Sequence, residues 1–138
     1  MFEHCLYFNT TSLARQLERE WTQAFQPFGL TPPQAFMLRA VLEKAVISGT
    51  DLSQELNISK ATCSRTVGGL IELGFVVKIQ ADEDARVYEL HPTDRAKNIH
   101  KALNEASGAV TRTIKKMIGA KQFETTVKTL RSISATIG

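Results

Sequence analysis

Hydroxyl side chains and cations cluster between positions 59 and 65 of the chain, at Ser59, Lys60, Thr62, Ser64 and Arg65. At the start of a helix, free backbone N–H groups and the helix dipole favour phosphate, and short hydroxyls can approach base edges. Arg65 is suited to a bidentate contact with guanine, although a phosphate-contacting or surface arginine fits equally well. Ser59 fits a helix N-cap, a role that is compatible with a phosphate contact.

The surrounding residues predict the elements that would position this cluster. Thr50 is the expected N-cap of a short helix, and Ser59 that of a longer helix that ends at Gly74. Two short strands, 75–79 and 86–90, follow and are joined by a polar run. Short helix, turn, longer helix and hairpin is the order of a winged helix-turn-helix, which lays its second helix in the major groove of DNA.

The remaining residues predict helices on both sides of this head. A helix is expected over 9–28, capped by Asn9, Thr10 or Thr11, and another from Thr31 to Lys44 with Phe36, Met37, Ala40 and Val41 buried. A long helix starts after Pro92, Gly119 breaks it, and a last helix follows. The fold class is therefore α+β, mostly α: a single domain over 1–138 with a DNA-binding winged helix-turn-helix over 31–95.

The terminal helices, over 1–30 and 96–138, carry apolar stripes and lie at the ends of the chain. Two interpretations fit them: they cap the head, or they pack against a second copy of the chain and form a homodimer.

Charge and composition narrow the function classes. The net charge is +3, but residues 49–95 carry five cations against eight anions, whereas residues from 96 onward carry eight cations against two anions. Bulk charge therefore does not argue for nucleic acid, and any such argument must rest on individual cations. No apolar run could span a bilayer and no signal peptide is evident, so a cytoplasmic protein without a membrane partner is expected.

Several motifs along the chain resemble those of a known protein family. The chain contains, in this order, a helix, Gly-Leu-Thr-Pro-Pro-Gln, a second helix, Leu-Ser-Gln-Glu-Leu-Asn-Ile-Ser-Lys-Ala-Thr-Cys-Ser-Arg, Leu-Ile-Glu-Leu-Gly-Phe-Val and Asp-Glu-Asp-Ala-Arg-Val-Tyr-Glu-Leu-His-Pro-Thr. This order resembles the MarR family of bacterial transcription regulators. The resemblance implies a homodimer whose two winged heads bind a pseudo-palindromic operator in duplex DNA, with half-sites about one helical turn apart. The chain departs from the family pattern at Thr66, at Gly68-Gly69 and at Ala85, where a wing cation is often found.

The resemblance also assigns the hairpin residues Asp84 and Arg86. It implies that Arg86 reaches into the minor groove, where the negative potential of DNA is strong, while Asp84 braces the guanidinium. The alternative is an exposed surface ion pair worth about 0–1 kcal/mol.

Two further site predictions come from the same resemblance. Family members bind small aromatic acids between the dimer helices and the head, and the apolar residues expected there are Trp21, Phe25, Phe28, Phe36 and Met37. The alternative is that these side chains form core. Some members sense peroxide through a cysteine near the first helix, which makes Cys5 a candidate redox sensor, although it falls about two residues early. Cys63 is expected to be a small core residue.

The three histidines and two cysteines have no metal-ligand spacing, and no catalytic arrangement is evident, so neither a metal, another cofactor nor an enzyme is expected. The sequence thus predicts a dimeric, sequence-specific DNA-binding regulator, a repressor released by a small ligand or by oxidation. The alternative is a winged-helix module that works through protein contacts with weak or no DNA binding.

Overall fold

A computed structural model describes residues 1–80, 83 and 86–138. Their elements, in chain order, are α1 (Leu6–Phe25), a 3₁₀ turn (Gln26–Phe28), α2 (Pro32–Lys44), β1 (Ile47–Ser48), α3 (Gly49–Glu55), α4 (Lys60–Glu72), β2 (Val76–Gln80), β3 (Tyr88–Pro92), α5 (Asp94–Ile118) and α6 (Ala120–Ile137). The predicted class, a mostly helical winged helix-turn-helix, is confirmed. We refer to residues 31–95 as the head.

Local capping signals determine where the helices of the head begin and end. The Thr31 hydroxyl accepts a hydrogen bond from the Gln34 backbone N–H, and the Gln34 side-chain oxygen accepts one from the Thr31 N–H, so a capping box opens α2. Ser59 caps α4, as predicted, by accepting from the Thr62 N–H at 3.1 Å. Gly74, with φ +79°, follows the end of α4 in the left-handed conformation that favours glycine.

Two predicted caps are wrong. Ser48, not Thr50, caps α3, because its hydroxyl accepts from the Asp51 N–H at 3.0 Å while Thr50 already lies in the first turn. Cys5 caps α1 by accepting from Phe8 N–H, so the helix begins three residues before Asn9.

The side chains predicted to cap α1 bond backwards instead. The Asn9 amide donates to the carbonyl of Cys5, and the Thr11 hydroxyl donates to that of Tyr7, which is compatible with a helix interior. At the other end, Pro27 lacks an N–H, and the chain tightens into the 3₁₀ turn before Gly29 takes φ +69°.

The three strands form an antiparallel sheet in the order β1-β3-β2. Ile47 pairs with Leu90, and Lys78 pairs with Leu90 from the other side. The hairpin strands begin one and two residues later than predicted, and the two-residue β1 was not predicted at all. All three strands close against α2, α3 and α4 around one core, whose fully buried side chains include Phe25, Met37, Leu38, Leu52, Leu70, Leu90 and Leu103.

The buried surface of α2 is wider than the predicted stripe. Met37 and Val41 are buried as expected, together with Leu38 and two further residues, Ala35 and Leu42. Of the other two residues predicted to be buried, Ala40 is half-buried and Phe36 is 41% exposed. The buried surface is wider than predicted because α2 contacts α1, α3, α4, α5 and β3, which cover its apolar faces from several sides.

Gly69 permits close packing between α2 and α4. A Cβ at this position would lie 2.9 Å from the side-chain nitrogen of Gln34, whereas a Cβ at Gly68 would meet nothing within 4 Å. Only one of the two helical glycines is therefore explained by packing. The side chain of Gln34, which completes the capping box of α2, thus lies against the middle of α4.

Helix α5 joins the head to the terminal helices. Its start closes the end of α4, because the Arg95 guanidinium donates to the Leu73 carbonyl and the Thr93 hydroxyl donates to the Gly74 carbonyl at 2.8 Å. Beyond Leu103 and Ser107 the helix leaves the core, and Met117 is 78% exposed. Helix α6 has no buried residue in the single chain.

We expect Thr31→Ala to lower the free energy of unfolding by about 1 kcal/mol, because the capping hydroxyl is lost while the prolines remain. Thr31→Ser, which keeps the hydroxyl, should retain most of that stability. Urea unfolding of both variants, followed by circular dichroism at one protein concentration, checks this. Equal loss in the two variants would contradict a capping role.

Candidate nucleic-acid interface

The first turn of α4 presents the predicted hydroxyl cluster. Ser59, Lys60, Ser64 and Arg65 are exposed, and Thr62 is half-buried. The Thr62 hydroxyl accepts hydrogen bonds from the Ser59 hydroxyl at 3.0 Å and from the Arg65 guanidinium at 3.3 Å. The Thr62 hydroxyl therefore connects Ser59 with Arg65, two of the residues predicted to contact DNA. Within the described part of the chain, no carboxylate pairs with Arg65.

A concavity between α4 and the hairpin brings three cations together. We call it the basic concavity; its volume is about 330 Å³ and it is lined by Gly49, Thr50, Lys60, Cys63, Ser64, Lys78, Arg86 and Tyr88. None of these described lining residues is acidic. The cations come from α4, from β2 and from the residues before β3, and so from three separate parts of the sequence.

Tyr88 fixes one of these cations. Its ring lies against the backbone of Gly49, where a Cβ would approach the ring carbon Cζ to 2.4 Å, so residue 49 must lack a side chain for this packing. The Lys78 ammonium lies 4.2 Å from the centroid of the same ring. Burial, and secondarily the neighbouring Cys63, raises the pKa of the Tyr88 hydroxyl, which therefore stays protonated at neutral pH.

Three acidic side chains of the head lie away from the basic concavity. Asp51, Glu55 and Glu89 line a separate concavity beside β1 and α3, together with Lys44. None of these three carboxylates lines the basic concavity. Arg86 is exposed and lines the basic concavity, while the predicted partner Asp84 lies outside the described residues.

An apolar cavity lies on the other side of α4. Its volume is about 530 Å³, and α1, α2, the residues after α3, and α4 line it with Ala14, Leu17, Glu18, Trp21, Pro32, Pro33, Phe36, Met37, Leu56, Ile58, Thr62 and Thr66. Three of the predicted ligand residues, Trp21, Phe36 and Met37, therefore lie at one cavity. The other two do not line it: Phe25 is fully buried in the core and Phe28 packs against that core.

A polar network backs this cavity where α1, α2 and α5 meet. The Trp21 indole N–H donates to the Ser107 hydroxyl at 3.1 Å, and Arg39 donates to the same hydroxyl at 3.0 Å and to the Asn104 side chain at 2.7 Å. The Arg39 guanidinium also lies 5.1 Å from the centroid of the Phe36 ring. Partial burial lowers the pKa of Arg39 from its ordinary value, although arginine stays charged.

Comparison with known proteins shows a family likeness over the head. The MarR family model matches residues 28–87, which run from before α2 to the residue before β3. The chain is similar to MarR-family transcriptional regulators over this part. It is also 26% identical to the HTH-type transcriptional regulator BilQ of Clostridioides difficile over 111 residues, which are 80% of this chain and 75% of that protein.

Solved MarR structures share the whole fold. A MarR protein from Peptoclostridium difficile superposes with a TM-score of 0.84 at 22% identity, covering 98% of this chain and 88% of that one. A mutant MarR from E. coli, in complex with operator DNA, superposes with a TM-score of 0.82 at 17% identity, covering 96% and 97%. MarR-family transcriptional regulators bind DNA and are not enzymes, in agreement with the sequence prediction.

Sequence reasoning missed the two residues of the hairpin strands that line the basic concavity, Lys78 and Tyr88. Their signal was present but weak: a lysine flanked by valine and isoleucine in one strand, and an aromatic residue in the next. Only the strand register, in which Gln80 pairs with Tyr88, places the ring diagonally across from Lys78. Among the described residues, no His, Cys, Asp and Glu group could hold a metal, and no helix could cross a membrane.

The two cysteines of the chain differ in environment. Cys5 is exposed at the start of α1, whereas Cys63 is 1% exposed and its thiol points to the Gly49 carbonyl, with a sulfur to oxygen distance of 3.8 Å. Burial raises the pKa of the Cys63 thiol, which disfavours the reactive thiolate. The candidate redox role of Cys5 stays a prediction.

We therefore expect iodoacetamide to alkylate Cys5 at least about tenfold faster than Cys63 in the folded protein. Peptide mapping by mass spectrometry at neutral pH measures both rates in one sample. Denatured protein, in which both thiols are accessible, is the reference. Equal rates in the folded protein would contradict the burial of Cys63.

Proposed function

We propose that this regulator binds a pseudo-palindromic operator in duplex DNA as a homodimer, represses transcription there, and is released by a small ligand. The basic concavity carries the first part of the proposal. It places Lys60, Lys78 and Arg86 beside the exposed start of α4, and phosphate neutralisation by such cations supplies most of the affinity of proteins for DNA.

Each predicted DNA-binding residue takes a role in this proposal. With α4 in the major groove, Ser64 and Arg65 read base edges, whereas Ser59 and Lys60 contact phosphate. Thr62 orients Arg65 through its hydroxyl. Lys78 adds a phosphate contact from the hairpin. Arg86 enters the minor groove, and Asp84 is assigned to brace it. The operator-bound E. coli MarR mutant, which shares the fold, supports this docking.

Uncovered apolar surface on the terminal helices supports the homodimer. In the single chain, five apolar side chains are between 43% and 78% exposed: Leu6, Tyr7, Met117, Val127 and Leu130. They lie on α1, α5 and α6, the helices over 1–30 and 96–138 proposed to form the dimer. A second copy that covers these stripes would bury them and would set two reading helices about one DNA turn apart.

Release requires that a ligand favour a conformation in which the two reading helices no longer match the operator. The apolar cavity supports a small-ligand signal, because it borders both α1 and α4 and its volume of about 530 Å³ suits a small molecule. Oxidation of the exposed Cys5 is the other proposed trigger.

One observation favours the alternative, a module that works through protein contacts. Val77, Ile79 and Val87 of the hairpin are 46%, 49% and 51% exposed, so the wing carries apolar as well as basic surface. Such surface is typical of protein interaction sites when it is contiguous. DNA binding by the folded protein decides between the two functions.

We expect iterative enrichment from a random duplex library to yield a two-fold symmetric motif with half-sites about ten base pairs apart.

Against this duplex, Lys78→Ala should weaken binding and lower the slope of log affinity against log salt by about one, since one phosphate contact is lost. Arg65→Ala should instead cost about 1–3 kcal/mol and relax the preference for the enriched bases. Fluorescence anisotropy across a salt series measures both effects.

Lys101→Ala is the matched control for Lys78→Ala, because Lys101 is an exposed lysine on α5, away from the basic concavity. Its salt slope should equal that of the unmodified protein. No enriched motif, together with binding that does not distinguish sequences, would reject the proposal and favour the protein-interaction module.

We expect Leu130→Glu to convert the dimer to monomer at micromolar concentration, because it places a charge within the apolar stripe of α6. Thr129→Glu adds the same charge beside the stripe and should leave the dimer intact. Sedimentation velocity measures the oligomeric state of both variants. An unmodified protein that sediments as a monomer, or a Leu130→Glu variant that remains dimeric, would contradict this interface.

A further inference from the structure

We propose that the apolar cavity between α1, α2 and α4 selects a small aromatic compound that carries a positive charge, and that Glu18 determines this selectivity. The inference concerns the ligand class of the proposed regulator. It differs from what the family resemblance implies, which is an aromatic acid.

The charge of the lining points to a cation. Glu18 is the only ionisable side chain among the twelve residues that line the cavity, all of which belong to the described part of the chain. Its carboxylate makes no ion pair within that part. An aromatic carboxylate would meet this negative charge without a lining cation to offset it, whereas an amidinium or ammonium group would find a partner.

The aromatic lining points the same way. Trp21 and Phe36 line the cavity from α1 and α2, and the faces of aromatic rings attract cations. The positively charged Arg39 already lies beside the Phe36 ring, but it is held by hydrogen bonds to Ser107 and Asn104 and does not line the cavity. The remaining lining is almost wholly apolar, with Leu17, Met37 and Ile58 able to enclose a hydrocarbon body.

Thr62 connects the cavity to the start of the reading helix. It lines the cavity, and its hydroxyl accepts hydrogen bonds from Ser59 and from Arg65, two of the proposed DNA contacts. A ligand that displaces the Thr62 side chain would therefore disturb the orientation of Arg65. This read-out step rests on the proposed DNA-binding function, whereas the ligand selectivity does not.

The test uses three compounds of one shape and different charge: para-tert-butylbenzamidine, para-tert-butylbenzamide and para-tert-butylbenzoate. Isothermal titration calorimetry on the full-length protein, without DNA, gives their affinities. The single tryptophan of the chain, Trp21, lies in the cavity wall, so quenching of its emission reports binding at this place.

We expect the amidine to bind about tenfold more tightly than the amide, and the amide more tightly than the benzoate. Glu18→Gln should abolish the advantage of the amidine over the amide. Glu20→Gln, an exposed carboxylate of the same helix that does not line the cavity, should keep it. Circular dichroism of both variants confirms that they fold.

A benzoate that binds as tightly as the amidine would overturn the proposed selectivity. So would an amidine preference that survives in Glu18→Gln, or the absence of binding by all three compounds. The read-out step is tested separately, by adding the amidine to the complex with the enriched duplex. Weakened DNA binding supports it, and unchanged DNA affinity overturns that step alone.

Discussion

The contact between the Tyr88 ring and the backbone of Gly49 sets the geometry of the surface on which the proposed function depends. It is possible only because residue 49 has no side chain. The ring holds the hairpin against the start of α3 and supports the Lys78 ammonium, which lines the basic concavity together with Lys60. A cation–π contact with a closely packed ring, not an ion pair with a described carboxylate, therefore positions this cation. Added salt would therefore weaken the binding of an anionic partner to this surface but would leave the shape of the surface intact.

Local signals explain why much of the fold could be predicted from the sequence. Thr31, Ser59 and Gly74 act through hydrogen bonds or backbone conformations within a few residues, and each was correctly predicted as a helix boundary. Ser48 was missed because two residues of the same type, a serine and a threonine, stood close enough together that spacing did not decide between them. The exposure of Phe36 depends on how α2 is surrounded in three dimensions, which helical periodicity does not encode.

The site was less predictable because its parts come from distant segments. Only the hydroxyl cluster of α4 lies in one stretch of chain, where all its residues but the half-buried Thr62 are exposed. The overall charge of residues 49–95 did not reveal the basic concavity, because Lys60, Lys78 and Arg86 meet there while Asp51, Glu55 and Glu89 line a different concavity. Likewise, the aromatic residues of the first two helices divide between core and cavity: Phe25 is enclosed, whereas Trp21 is not.

Helix α6 has a consequence for the biosynthesis of the chain. The core is built from residues between Phe25 and Leu103, and α6 contributes none of its side chains to it. During synthesis, the complete set of core residues leaves the ribosome before the apolar stripe of α6 does. The head can therefore reach its native packing while that exposed apolar stripe is still enclosed by the ribosome.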